Sequence, residues 1–206
     1  MDFRNSEPPE GPRPEDILPA TAATAVKVLI VGGFGVGKTT LVGAVSEIRP
    51  LKTEETMTQA GIGVDDTAGI EGKTQTTVAL DFGRISINRE LILYLFGTPG
   101  QERFWFLWRG LFEGALGAIV LVDTARLDVS FDAMGLLEER GVPFLVAVNT
   151  FPGSPAHNVS ELRRALDLPE HVPIHFCDAR KREDSRDALI ALMHYLQSRS
   201  ATLEAS

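Results

Sequence analysis

The chain has 206 residues, 44% of them hydrophobic, and a formal net charge of −8. That length suits one α/β domain with short tails, and the acidic balance argues against nucleic acid as a main partner, because phosphate backbones need a basic face. The single cysteine, Cys177, excludes an internal disulfide, and four scattered histidines give no zinc-site spacing.

Residues 1–24 are rich in Pro and Glu and poor in large apolar side chains, so they are expected to be an acidic, disordered tail and not a signal peptide. Val26–Val31 is a β-branched apolar run that reads as a buried strand. Gly32-Gly33-Phe34-Gly35-Val36-Gly37-Lys38-Thr39-Thr40 follows, and then Leu41, Ala44 and Val45 recur at helical spacing. Arg49 to Thr76 has no sustained period and reads as one long connection, a length that in a compact domain usually marks function or disorder. Thr77–Phe82 and Leu91–Phe96 are strands joined by a short turn at Asn88-Arg89-Glu90, hence an antiparallel hairpin.

Gly97–Arg103 is a loop, and Phe104–Phe112 a helix that is apolar nearly all round. From there strands and helices alternate. Ala118–Val122 is a strand ending at Asp123, and Ser130–Arg140 is a helix closed by Gly141. Pro143–Val148 is a strand ending at Asn149, and Val159–Leu166 is a short helix capped by Ser160 or Asn158. Pro173–Cys177 is the last strand and Asp184–Gln197 the last helix. Such alternation predicts an α/β domain of three layers, with a mostly parallel six-stranded sheet and one antiparallel edge strand. Residues 25–198 would form it and 199–206 a C-terminal tail. Ligands of such sheets bind at the strand C-termini, where Gly32, Gly97, Asp123, Asn149 and Asp178 collect.

The glycine stretch fits the phosphate-loop pattern of Gly, four residues, then Gly-Lys-Ser/Thr. Glycines let backbone N–H groups turn inward onto a β-phosphate, Lys38 would bridge the β- and γ-phosphates, and the Thr39 hydroxyl would ligate Mg²⁺. Gly32 to Thr40 together form the candidate phosphate site.

The order of these motifs resembles Ras-like small GTPases across about residues 25–198. It is closer still to the bacterial gliding-protein-A-like branch and to conservon-type G proteins of actinobacteria. The resemblance implies GTP and GDP as ligands with Mg²⁺. It makes Gln101 the residue that orients the attacking water and Gly100 the one whose N–H meets the γ-phosphate. It makes Thr77 the metal-ligating threonine of the first switch, with Thr74 and Thr76 as rivals. Four departures matter. Gly97 stands where an aspartate usually holds the metal shell, and Asp81 on the adjacent strand is the candidate replacement. Asn149-Thr150-Phe151-Pro152 stands for Asn-Lys-x-Asp, so the guanine-reading carboxylate is missing. Asp178-Ala179-Arg180 stands for Ser-Ala-Lys, and there Asp178 could supply a carboxylate, Ala179 an N–H and Arg180 a stacking cation. Phe34 replaces a usual glycine beside the γ-phosphate.

Three readings follow. One is a switch that hydrolyses GTP slowly, one a non-hydrolysing adaptor, and one an ATP-using P-loop protein. The resemblance implies a Roadblock-fold protein or a sensor-kinase complex as partner, met through the Arg49–Thr77 loop and the Phe104–Phe112 helix. No prenylation cysteine ends the chain, so a cytoplasmic protein recruited to the membrane by its partner is expected.

Overall fold

The computed structural model describes the backbone of residues 24–57, 76–100 and 108–204, and the side chains of 24–50, 80–100 and 110–201. The expected α/β layering is present. Strands are β1 (Thr24–Val31), β2 (Leu51–Met57), β3 (Thr76–Ser86), β4 (Leu91–Gly97), β5 (Ala115–Val122), β6 (Phe144–Asn149) and β7 (Ile174–Cys177). Helices are α1 (Lys38–Val45), α2 (Trp108–Phe112), α3 (Phe131–Glu139), α4 (Val159–Ala165) and α5 (Arg182–Glu204).

The sheet order is β2-β3-β4-β1-β5-β6-β7. It has seven strands where six were expected. The addition is β2, carved from the presumed Arg49–Thr77 loop and paired antiparallel with β3 from Leu51 opposite Phe82 to Met57 opposite Thr76. Its sequence, Leu-Lys-Thr-Glu-Glu-Thr-Met, carries no apolar alternation, because an edge strand is held by one ladder of backbone hydrogen bonds more than by a buried face. The β3–β4 hairpin is antiparallel as predicted, with Asp81 opposite Gly97. β1–β4, β1–β5, β5–β6 and β6–β7 are parallel, so β3 alone runs against the rest. The antiparallel strand is therefore second from the edge.

Burial follows the apolar runs. Val28, Leu29, Ile30 and Val31 are fully buried, as are Ile119 to Val122. On one face of the sheet Leu41, Val42 and Val45 of α1 meet Leu189, Leu192 and Leu196 of α5 across Val28, Ile30 and Leu121. On the other, Met134 and Leu137 of α3 and Leu162 of α4 pack on Leu29, Val120 and Val146. Each fully buried Leu, Ile or Val contributes about 1.5–3 kcal/mol, so these two cores fix the strand ends that carry the site. α4 opens with a capping box, the Asn158 side chain accepting from Glu161 N–H at 2.9 Å while Glu161 accepts from Asn158 N–H at 3.2 Å. That resolves the choice of cap in favour of Asn158.

Two further boundaries moved. α5 continues to Glu204, so most of the segment expected to be a C-terminal tail is helix. Of the Phe104–Phe112 helix, only α2 lies within the described residues, and there Phe112 is buried and Leu111 partly so against the α3 and α4 core. Phe112 is thus a core residue. Among the described residues no helix is long and apolar enough to cross a membrane.

Candidate nucleotide-binding site

β1 ends at Val31 and the chain turns at once into the phosphate loop. Gly32 has φ +141° and Gly37 φ +104°. A Cβ on Gly32 would fall 2.4 Å from the Leu121 carbonyl oxygen, and one on Gly37 would fall 2.6 Å from Asn149 Nδ2. Both positions therefore exclude any side chain. α1 starts at Lys38 with no side-chain cap and no acidic residue in its first turn. Its orphan N–H groups and positive dipole end are left for an anion. Gly33, Val36 and Lys38 are buried, whereas Gly35, Thr39 and Thr40 are exposed, and Phe34 is 69% exposed at the crest of the loop.

Lys38 Nζ donates to the carbonyls of Gly32 at 2.9 Å and Gly33 at 2.7 Å. Burial lowers its pKa from 10.5 to about 8, with the nearby Asp81 carboxylate pulling the other way. A buried cation tied only to carbonyls is poised for a stronger anionic partner.

The Thr39 hydroxyl donates to Asp81 Oδ2 at 2.5 Å. Asp81 is buried and lies across the ladder from Gly97. A Cβ on Gly97 would meet Asp81 Cβ at 3.0 Å and Oδ2 at 3.2 Å. The glycine is thus the space into which the carboxylate of the neighbouring strand fits. Hydroxyl and carboxylate are hard oxygen donors, a pair that suits Mg²⁺, an ion that otherwise keeps waters and phosphate oxygens. The Thr77 side chain, the other expected metal ligand, lies outside the described residues. The Thr77 backbone, on β3, pairs with Thr56 of β2, four residues and about 13 Å along the strand from Asp81.

Beyond Gly97, Thr98 pins the chain to β1 through N–H to Ile30 O at 3.0 Å. Gly100 then lies against the phosphate loop. A Cβ there would stand 2.7 Å from Lys38 Nζ and 2.9 Å from both Gly33 O and Phe34 Cα. Gln101 lies outside the described residues, as do Arg103 and residues 58–75.

Across the site, Asn149 is a brace. Its Nδ2 donates to Val36 O at 2.9 Å, and its Oδ1 accepts from Ala179 N–H at 3.0 Å. It joins the phosphate loop to the β7–α5 loop. Asp178 is forked onto Arg180, with Nε to Oδ1 at 2.8 Å and Nη2 to Oδ2 at 2.7 Å. These hydrogen bonds hold the Asp178 carboxyl down at about 2, so it is ionised at any working pH. The three groups proposed to read the base are thus together, and each has a partner within the protein. Cys177 beside them is buried, and burial pushes its thiol up to about 12, with Asp184 and Asp178 adding to the rise.

Sequence reasoning missed the backing of the loop by the β5–α3 connection. A Cβ on Gly33 would strike Val129 Cγ2 at 2.6 Å, and one on Gly35 would lie 3.6 Å from an Arg126 guanidinium nitrogen. The only signal was Asp123 three residues before Arg126.

Residues 30–199 match a protein family described as "Conserved hypothetical ATP binding protein". The chain belongs to this family. An uncharacterised protein of Methanocaldococcus jannaschii is 31% identical over 126 residues, 60% of this chain and 69% of that relative. Ras-related protein Rab-11C of Dictyostelium discoideum is 30% identical over 100 residues, 47% of this chain and 36% of its own. Ras-related protein Rab-26 of Mus musculus is 30% identical over 134 residues, 61% and 44% of the two chains. The chain thus spans less than half the length of these Ras-related proteins. Family and site agree on a P-loop nucleotide-binding protein with Ras-like kinship.

Proposed function

We propose that the protein is a nucleotide-dependent switch that binds GTP with Mg²⁺ and hydrolyses it slowly to GDP. The observation that carries this is the Thr39–Asp81 pair beside Gly97. It supports a metal-shell carboxylate moved from β4 to β3, which is what a working triphosphate site needs when the usual aspartate is absent. Thr39 and Asp81 would hold Mg²⁺, which would supply neutralisation of the phosphate charge. Lys38 would leave the Gly32 and Gly33 carbonyls for the phosphates. Gly100, already against the loop, would offer its N–H to the γ-phosphate, and Gln101 would orient the attacking water. Slow turnover would follow from Phe34, a ring exposed at the loop crest where Ras-like chains carry a glycine. Guanine would be read by Asp178 and by the Ala179 N–H, with Arg180 released to stack on the base.

The partner reading rests on the likeness to gliding-type and conservon-type G proteins. A Roadblock-fold protein or sensor-kinase complex would bind through the 49–77 and 104–112 segments, with Phe112 staying in the core. Such a partner would also recruit this cytoplasmic chain to the membrane.

A second reading, ATP as the ligand or no hydrolysis at all, is favoured by Pro152 in place of the guanine-reading aspartate and by the occupied Asp178 carboxylate. Titration with GTP, GDP, ATP and ADP, followed by single-turnover phosphate release, separates the readings. Tight GTP binding with slow release supports the switch. Tight binding without release selects the adaptor, and preference for ATP overturns the guanine assignment.

A further inference from the structure

We propose that Arg126 is a second phosphate-binding cation, delivered in cis from the β5–α3 connection to the terminal phosphate of a bound nucleoside triphosphate. The inference rests on the nucleotide reading above. A guanidinium nitrogen of Arg126 stands 3.6 Å from the Cβ position of Gly35, so the cation abuts the crest of the phosphate loop. Its backbone is fixed on both sides. Before it, the buried Asp123 carboxylate accepts the Ala125 N–H at 3.0 Å, and Asp123 O accepts the Arg126 N–H at 2.9 Å. After it, Val129 packs against Gly33.

The side chain itself is 47% exposed, and its contact with Asp123 Oδ2 is long, at 3.5 Å. A pair at that distance leaves most of the five guanidinium donors uncommitted. The fork of an arginine matches phosphate oxygens bidentately. Asp123 thus parks the cation beside the loop, and a phosphate arriving there draws it across. Lys38 approaches the same phosphates from beneath, and Gly100 closes the other flank. In hydrolysis the water oxygen bonds to the γ-phosphorus as one of its protons passes to a phosphate oxygen, the bond from that phosphorus to the bridging oxygen breaks with its electron pair staying on the β-phosphate, and GDP and inorganic phosphate leave. Arg126 stays chemically unchanged and offsets the charge of the departing group, a role worth about 10³-fold or more when an arginine fills it.

The test is calorimetric titration, with Mg²⁺, of the β,γ-imido analogue of GTP and of GDP into four proteins. These are wild type, Arg126→Ala, Arg126→Lys, and Arg199→Ala as a charge control on α5, where Arg199 meets Tyr195 instead. The expected result is a tenfold or greater fall in the triphosphate-to-diphosphate affinity ratio for Arg126→Ala, with partial recovery in Arg126→Lys and no change in Arg199→Ala. An unchanged ratio in Arg126→Ala, with wild type binding both nucleotides, overturns this inference alone. An equal fall in Arg199→Ala also overturns it, because net charge would then be the cause. Failure of wild type to bind either nucleotide overturns the nucleotide reading and this inference with it.

Discussion

Moving the metal-shell carboxylate back to β4 tests whether Asp81 holds it. In Gly97→Asp a new carboxylate would grow from a Cβ only 3.2 Å from Asp81 Oδ2. The two charges would then sit about 4 Å apart, worth about 4 kcal/mol of repulsion at an effective dielectric of about 20. That is a large share of the roughly 5–15 kcal/mol that holds a domain folded. Asp81→Ala alone removes the acceptor of the Thr39 hydroxyl, a loss of about 1 kcal/mol. The double variant Asp81→Ala/Gly97→Asp has one carboxylate again, now on β4, so the repulsion vanishes. Urea unfolding of the four nucleotide-free proteins at pH 7.5 reads these terms as a double-mutant cycle. The expected coupling is about 4 kcal/mol in favour of the double variant over the sum of the singles. Calorimetric titration with and without Mg²⁺ then reads function. The metal's enhancement of GTP binding should vanish in Asp81→Ala and return in the double variant. Additive stabilities, with no return of the Mg²⁺ effect, would refute the exchange between strands.

Three further outcomes are expected. Asp178→Ala should weaken GTP binding by roughly 2–5 kcal/mol while leaving ATP nearly unchanged, because a lost carboxylate pair costs that much only where the base offers two donors. Equal loss of both nucleotides in a titration contradicts the base-reading role. Phe34→Gly should raise the single-turnover rate of phosphate release, and an unchanged or lower rate counts against slowing by the ring. Lys38, held at about 8 against 10.5, makes the folded state bind fewer protons than the unfolded chain between those values. Stability of the nucleotide-free protein should therefore rise with pH across that window, and the full penalty, about 3 kcal/mol, stands below pH 8. Urea unfolding from pH 7.5 to 10 should show the rise in wild type and not in Lys38→Met, and parallel curves would contradict it.

The parts legible in sequence were those written in local chemistry. Val28–Val31 and Ala118–Val122 are buried on both faces, so their apolar runs mark them as inner strands. The phosphate loop is legible because Gly32 and Gly37 leave no room for a side chain. The lack of an aspartate at Gly97 singled out Asp81 on the adjacent strand as a metal-shell candidate, but its hydrogen bond with Thr39 is a contact between elements that the sequence does not show. β2 was not legible, since its polar residues show no face to a core. The C-terminal turns of α5 were not either, because polar Ser198 to Ser200 continue the helix beyond its last buried residue, Leu196. Arg126 escaped because its importance lies in a contact with Gly35, 91 positions earlier, and spacing along the chain cannot report it. The pairing of Asp178 with Arg180 turned an apparently free carboxylate into one that must exchange partners to read a base.

The central claim is that this loop holds a guanine nucleotide with Mg²⁺. Its most direct test is the identity of the nucleotide carried through purification in Mg²⁺, released by denaturation and resolved by ion-pair chromatography. The account predicts GDP or GTP at close to one per chain, lost when Asp81 is replaced by Ala. Adenine nucleotide in that fraction, or wild-type protein that neither carries nor binds any nucleotide, would contradict it.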